Sequence, residues 1–337
     1  MAEASNIRDV AVRAGVSVGT VSNAINHPDK VSPASRARVQ KAIDELGFVR
    51  NDAARQLRAG RSTTIGMVVL DVRNPFFTDL ARGAEDEAAG HGLSVILGNS
   101  DESTERESAY LDLFEEQRVH GLLISPYGEI ESRLALLRSR GTPSVLVDRL
   151  SGDASFSSVS VDDVAGGRVA AQHLLDIGRR RIAFVGGPLG IRQVSDRLAG
   201  AAAAVSDRAD AELEVVELTA LTVLEGRRAG QELAARSRTE RPDAVFAAND
   251  LVATGLLQAL VMQGSLRVPD DIALIGFDDI DFASAAVVPL SSVRQPSELI
   301  GRTAVQLLLE EAAEPALPPR QVVFQPELVV RASTSGE

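Results

Sequence analysis

The sequence predicts a two-part protein: a small α-helical head built on a helix-turn-helix, followed by an α/β body of two lobes, each a doubly wound parallel sheet. Three observations lead there. Of the 337 residues, too many for one ordinary core, the first 62 carry ten Lys/Arg against six Asp/Glu, net +4, while the remainder is net −16. From Asn6 to Gly47 three apolar stripes at helical spacing are separated by capping and turn residues. From Thr64 onward short β-branched runs alternate with helical segments, the pattern of βαβ units.

Composition excludes several classes of protein. With 45% hydrophobic and 24% charged residues the chain is globular, and no apolar run approaches the length of a membrane span, so no membrane partner is expected. The N-terminus has no basic flank followed by an apolar stretch, so export is not expected and a cytoplasmic location is. Zero Cys removes disulfides, thiolate nucleophiles and Cys-based zinc sites, and His27, His91, His120 and His173 are too scattered for a metal cluster. No metal and no cofactor are expected.

In the head, Asn6 can cap a helix with Asp9 at its third position and Ile7, Val10, Ala11 and Ala14 on its buried face. Gly15 ends it. Val16 is then an apolar plug and Ser17 a new cap for a helix over Val18 to Asn26, with Val21, Ala24 and Ile25 facing inward. Ser32-Pro33 starts a third helix whose stripe is Val39, Ala42, Ile43 and Leu46, closed by Gly47. The second helix exposes Val18, Gly19, Thr20, Ser22 and Asn23 near its N-terminus, without the Lys/Glu ladder of a merely solvated helix. Small hydroxyl and amide groups there suit phosphate anchoring and base-edge contacts in a major groove. Residues 50–60 hold good helix formers for only about two turns, so they form either a plain linker or a helix that orders on docking, with Leu57 as a wedge at a base step.

The run from Asn6 to Asn26, with Val31-Ser32 and Asn51-Asp-Ala-Ala-Arg-Gln-Leu57, closely resembles the head and hinge of LacI/GalR-family transcriptional repressors. The resemblance implies that Val18, Gly19 and Asn23 read operator bases, that Thr20, Ser22 and Asn26 support or contact the DNA backbone beside the cap Ser17, and that the hinge residues Ala54 and Leu57 meet the minor groove. Asn23 stands where many relatives carry an arginine that reads guanine. The shorter amide favours another contact, such as adenine.

In the body, strands are expected at Ile65–Leu70, Leu93–Leu97, Gly121–Ile124, Ser144–Val147, Ser158–Val161, Ile182–Val185, Glu214–Leu218, Ala244–Ala247 and Ile272–Ile275. Helices are expected at Phe76–His91, Glu105–Arg118, Ala165–Ile177, Val223–Ala235, Asp250–Gln263 and Glu298–Glu310. Nine strands are too many for one compact open sheet, so two lobes follow, with crossovers near Ser160 to Asp163 and Ser291 to Gln295. The resulting division is 1–49 head, 50–62 hinge and linker, and 63–337 body, with lobe 1 about 63–161 and 294–325 and lobe 2 about 162–293.

Ligands of open α/β sheets sit beyond the carboxyl ends of strands. Those positions hold Asp71, Asn74 to Phe77, Asn99 to Asp101, Asp148-Arg149, Gly186 to Arg197, Asn249-Asp250 and Asp278-Asp279. The bland account, that such Asp residues only cap helices, suits Asp162 and Asp250. The stretches Ile65-Gly-Met-Val-Val, Asn74-Pro-Phe-Phe, Phe246-Ala-Ala-Asn-Asp250 and Ile275-Gly-Phe-Asp-Asp279 resemble the effector-binding core of the same family, which is periplasmic-binding-protein-like. By that resemblance Asn74, Phe76, Phe77, Asp148, Arg197, Asn249 and Asp278 line a ligand site, with Arg197 and Asp278 on opposite sides. Leu221 falls where better-studied relatives place a stacking Trp or Phe, which argues against a flat sugar or purine held in that manner.

The expected function is therefore a homodimeric, sequence-specific regulator, a repressor, whose affinity for double-stranded operator DNA is set by a small-molecule effector, a sugar or related metabolite. Catalysis is not expected: Gly186 to Gly190 lacks the spacing and Lys-Ser/Thr of a phosphate loop, and no nucleophile elbow occurs. The rival is a periplasmic-type solute-binding protein without DNA function, which would have no use for residues 6–58.

Overall fold

The computed structural model describes residues 5–48, 62–152, 154–263 and 266–336, so the hinge positions Ala54 and Leu57 lie outside the described residues. The chain forms two compact units, Met1–Arg61 and Ser62–Glu337.

The head unit has helices α1 (Ile7–Ala14), α2 (Val18–Asn26) and α3 (Pro33–Leu46), with a 3₁₀ turn at Pro28–Lys30. Asn6 Oδ1 accepts from the Arg8 and Asp9 N–H groups at 2.8 and 3.3 Å, and Asp9 Oδ2 accepts from the Asn6 N–H at 2.8 Å, a reciprocal cap. Gly15 and Gly47 end α1 and α3 at φ of 63° and 58°, the left-handed conformation that glycine adopts without strain. Val10, Ala11, Ala14, Val21, Val39 and Ala42 form the core, and Ala24 and Ile25 only border it.

The body runs β1 (Thr64–Val69), α4 (Pro75–Gly90), β2 (Ser94–Asn99), α5 (Thr104–Glu116), β3 (Gly121–Ile124), α6 (Glu131–Ser139), β4 (Ser144–Val147), β5 (Ser158–Val161), α7 (Asp163–Asp176), β6 (Arg181–Gly186), α8 (Arg192–Ser206), β7 (Glu212–Glu217) and α9 (Val223–Ala235). It continues with β8 (Ala244–Ala247), α10 (Asp250–Leu257, passing into π geometry over Gln258–Gln263), β9 (Ala273–Asp278), α11 (Asp281–Ser284), β10 (Ser291–Arg294), α12 (Ser297–Ala313), β11 (Gln321–Phe324), β12 (Glu327–Val329) and α13 (Ala332–Ser335). One sheet has the order β11-β5-β4-β3-β1-β2 and is parallel throughout. The other has the order β12-β10-β9-β8-β6-β7, with β12 alone antiparallel. Both repeat one doubly wound order whose winding reverses beside β1 and beside β6, so ligand positions fall at the carboxyl ends there. Strands inside the sheets are largely buried, as helices on both faces require, with serines among the apolar residues of β5 and β10, whereas edge strand β2 leaves Ile96 and Leu97 exposed.

Three expectations need correction. Helices α6 and α8 and strands β10, β11 and β12 add to the expected elements, and Arg197 sits inside α8 rather than in a strand-end loop. The chain crosses between lobes three times, because after β11 it returns through Pro326 to add β12 and α13 to the second lobe. Short strands beside proline leave little periodicity to read. Asp250 is no cap: Asn249 caps α10, accepting from the Val252 N–H at 2.9 Å, while the buried Asp250 carboxylate accepts from the Ile280 N–H at 2.9 Å and the Ser292 hydroxyl at 2.8 Å.

Helices α7 and α8 approach closely at Gly167 and Gly200. A Cβ on Gly167 would lie 1.9 Å from the Arg197 carbonyl oxygen, and one on Gly200 1.9 Å from that of Val164. This contact sets the depth of α8 and hence of Arg197.

Candidate functional site

In the head, Ser17 caps α2 by accepting from the Thr20 N–H at 3.1 Å, and the two hydroxyls meet at 2.9 Å. The cap fixes the N-terminus of α2. Val21 alone on this helix is fully buried, while Ser17, Val18, Gly19, Asn23 and Asn26 are exposed and Thr20 and Ser22 half-buried. Asn26 reaches Ser22 at 3.4 Å, so these two share one edge of the face. Val18 is an exposed aliphatic side chain on an otherwise polar face, a group that packs on a thymine methyl, and the amides can pair with base edges.

In the body, a cleft between the lobes with about 460 Å³ of free space, mouth included, is lined by all eight residues expected there: Asn74, Phe76, Phe77, Asp148, Arg197, Leu221, Asn249 and Asp278. Seven are buried, and Leu221 is half-buried. Asn74, Phe76, Phe77 and Asp148 belong to the first lobe; Arg197, Leu221, Asn249 and Asp278 belong to the second, so Arg197 and Asp278 share a wall instead of facing each other. Phe76 and Phe77 meet edge to face at 5.0 Å and form an apolar wall.

Among the described residues, the side chains of Asn74 and Gln193 donate hydrogen bonds across the lobes. Asn74 Nδ2 donates to Asp278 Oδ2 at 2.9 Å, and Gln193 Nε2 donates to Asp148 Oδ2 at 2.9 Å and to the Asp148 carbonyl at 2.6 Å. Asp278 Oδ1 also accepts from Gln295 Nε2 at 2.8 Å, in a segment that crosses between lobes. Asp148 and Asp278 hold φ of 58° and 103° at their strand ends, conformations that cost a non-glycine residue of order 1–3 kcal/mol and persist where surroundings over-determine them.

Arg197 is the cation among these carboxylates. Its Nε donates to Asp163 Oδ1 at 2.8 Å, its Nη1 donates to the Ala248 carbonyl at 2.8 Å and lies 3.8 Å from Asp278, and its Cζ stands 3.7 Å over the Phe277 ring. Among the described residues its Nη2 has no hydrogen-bond partner. Burial by itself would lower the Arg197 pKa, but Asp163, Asp278 and Asp148 raise it, so the guanidinium stays charged. Burial pushes Asp163 up to about 6 against the pull of Arg197, and it raises Asp278 as well. Asp148 is pushed well above the usual carboxylate range by burial and by the Asp163 charge. Its Oδ1 is buried without a partner. The cleft thus offers both an unpartnered carboxyl oxygen and a guanidinium donor, and a ligand with several hydroxyl groups can pair with each.

Asp163, Gln193 and Glu102 were not singled out from sequence, although Gln193 fell inside the Gly186 to Arg197 stretch. The tandem Asp162-Asp163 held a usable signal. Asp162 caps α7 by accepting from the Ala165 N–H at 2.8 Å, which leaves its neighbour for the arginine.

Comparison with known proteins identifies the family of both units. Residues 6–51 match the family described as bacterial regulatory proteins, lacI family, and residues 171–334 match the periplasmic binding protein-like domain. The chain is similar in structure to a Lac repressor dimer bound to operator and the anti-inducer ONPF, at 27% identity and a TM-score of 0.82 over 98% of this chain and 99% of that one. It is also similar to a LacI family transcriptional regulator from Enterococcus faecium with bound ribose, at 28% identity and a TM-score of 0.73 over 80% of this chain and 98% of that one. The ribose operon repressor of Escherichia coli (strain K12) is 36% identical over 332 residues, 98% of this chain and 99% of that protein. With one such relative matched along nearly its whole length and the head matching the family model, the chain belongs to the lacI family of bacterial regulatory proteins.

Proposed function

We propose that the protein is a cytoplasmic, homodimeric repressor whose hold on a two-half-site operator is controlled by a pentose, ribose foremost, bound between the lobes. The observation that carries the reading is the joint presence of an exposed polar face on the second head helix and a cleft with unpartnered acceptors, in a chain whose relatives include a ribose operon repressor and a ribose-bound regulator. The buried acceptors suit pentose hydroxyls, the Phe76–Phe77 wall suits an apolar sugar face, and half-buried Leu221 leaves room for a small ring without stacking on it. Val18, Gly19 and Asn23 meet base edges, Ser17, Thr20, Ser22 and Asn26 hold the backbone, and Ala54 and Leu57 enter the minor groove. A second copy covers edge strand β2 with its exposed Ile96 and Leu97, since an open apolar edge otherwise invites uncontrolled pairing. The reading needs no catalytic step.

Closure around the sugar favours one arrangement of lobes, and the dimer converts it into the spacing of two heads. Anisotropy titration of a labelled palindromic operator with and without ribose tests this, alongside melting curves. Ribose at a hundredfold its Kd adds ~2.7 kcal/mol to stability. A pentose that moves neither the operator titration nor the melting curve rejects the pentose; a chain that binds no operator rejects the repressor.

A further inference from the structure

Glu102 also lines the cleft. It lies in the turn between β2 and α5, and it follows Asp101 with both residues in left-handed backbone, at φ of 53° and 55°, where residues with a Cβ are disfavoured. The Glu102 N–H bonds the Leu70 carbonyl at 3.3 Å, which ties this turn to the end of β1, and the half-buried side chain lines the cleft beside Asp71. Among the described residues no group donates a hydrogen bond to its carboxylate. Arg73, the nearby cation, is committed to Asp71 at 2.9 Å and to Asp101 at 2.9 Å. Deeper in the cleft, buried Asp148 Oδ1 also has no partner. With Asp71 paired to Arg73 and Asp278 beside Arg197, Glu102 is a carboxylate on the cleft wall that lacks a cation of its own among the described residues.

We propose that Glu102 is a specificity residue: its carboxylate makes the cleft select an uncharged, hydroxyl-bearing effector and reject its phosphorylated counterpart. The proposal rests on the sugar reading above and narrows it. A hydroxyl can donate to each free carboxylate oxygen. A phosphate monoester brings about −1.5 to −2 charges and almost no donor, into a walled cleft where charge repulsion exceeds that in bulk water. The strained turn holds a carboxylate where a glycine would sit relaxed and leave the mouth uncharged.

Calorimetric titration of the full-length protein with ribose and with ribose 5-phosphate, at neutral pH and low salt, tests it. The wild type is expected to bind ribose at least a hundredfold more tightly than the phosphate. Glu102→Gln and Glu102→Gly each narrow that ratio at least tenfold, the second with a relaxed backbone, so charge rather than local fold is read. Glu116→Gln, removing the same charge from the exposed end of α5, keeps the wild-type ratio. Equal affinity of the wild type for both sugars, or an unchanged ratio in both folded Glu102 variants, overturns the proposal. If neither pentose binds while operator binding persists, the pentose reading falls by itself, and the same ratio is read on glucose against glucose 6-phosphate and galactose against galactose 6-phosphate. No binding of either neutral hexose then overturns the selectivity rule as well.

Discussion

At Arg197 a structural ion pair and the proposed ligand contact meet in one side chain. Its Nε is committed to Asp163, while Nη2 is left for a ligand. Arg197→Ala is therefore expected to lower ligand-free stability by ~3–5 kcal/mol, because Asp163, Asp278 and Asp148 lose their cation, and to abolish the effector response as well. Denaturant unfolding followed by circular dichroism measures the first; an unchanged midpoint would show that the pair is incidental. Asp163 adds a pH signature. Its carboxyl is held at about 6 when folded, against 3.8 as the ordinary value, so between those values the folded state binds more protons than the unfolded. Stability from this group is present at low pH and falls as pH rises through that window, by about 3 kcal/mol. The stability of the wild type relative to Asp163→Asn should fall by about 3 kcal/mol as pH rises from 4 through 6 and level off above 7; a relative stability independent of pH contradicts the burial account. The resemblance placed Arg197 in the cleft from its position in the chain, whereas the tandem Asp162-Asp163 left one carboxylate free of the cap without naming its partner, which lies 34 positions on in another helix.

At the scale of elements, the α7–α8 contact decides how deep that arginine sits. Gly167→Ala would place a methyl 1.9 Å from the Arg197 carbonyl oxygen, an overlap that backbone cannot absorb without moving α8. The expected outcome is a loss of roughly 1–3 kcal/mol of stability together with a weakened ribose response, since the helix that moves carries Arg197 and Gln193. Gly178→Ala, at a surface turn with φ of 90°, strains the backbone without moving α8 and serves as the contrast. If both variants lose stability but keep the same ribose affinity, the glycine contact does not set the cleft. Most of the alternating strands and helices up to Gln263, α6 and α8 excepted, were legible because long helices and β-branched runs each repeat their period several times. The last three strands were not, each having four residues or fewer and lying beside Pro289, Pro296, Pro318, Pro319 and Pro326. A helix such as Arg192–Ser206 also hid, because its mixed face opens with Arg-Gln and its buried residues include Gln193 and Arg197, which read as polar loop.

At the scale of the whole molecule, charge is divided as the function needs. The first 62 residues are net +4 and the rest net −16, so the field of the body opposes DNA while that of the head attracts it. Operator affinity should then reside in the head, carried twice in a dimer, and should depend on counterion release. If the two heads and hinges together meet six or more phosphates, affinity falls by roughly 10³-fold or more between 50 and 200 mM salt. A fragment of residues 63–337 is expected to lose operator binding entirely while its melting temperature still rises with ribose, because the cleft is built wholly from the Ser62–Glu337 unit. Anisotropy with the operator and thermal melting of the same preparation give both readouts side by side. Retained operator affinity in the fragment would move the DNA contact onto the acidic body and sink the division of labour. Loss of the ribose shift would instead mean that the sugar site needs the head, and the two failures are read on separate instruments from one sample.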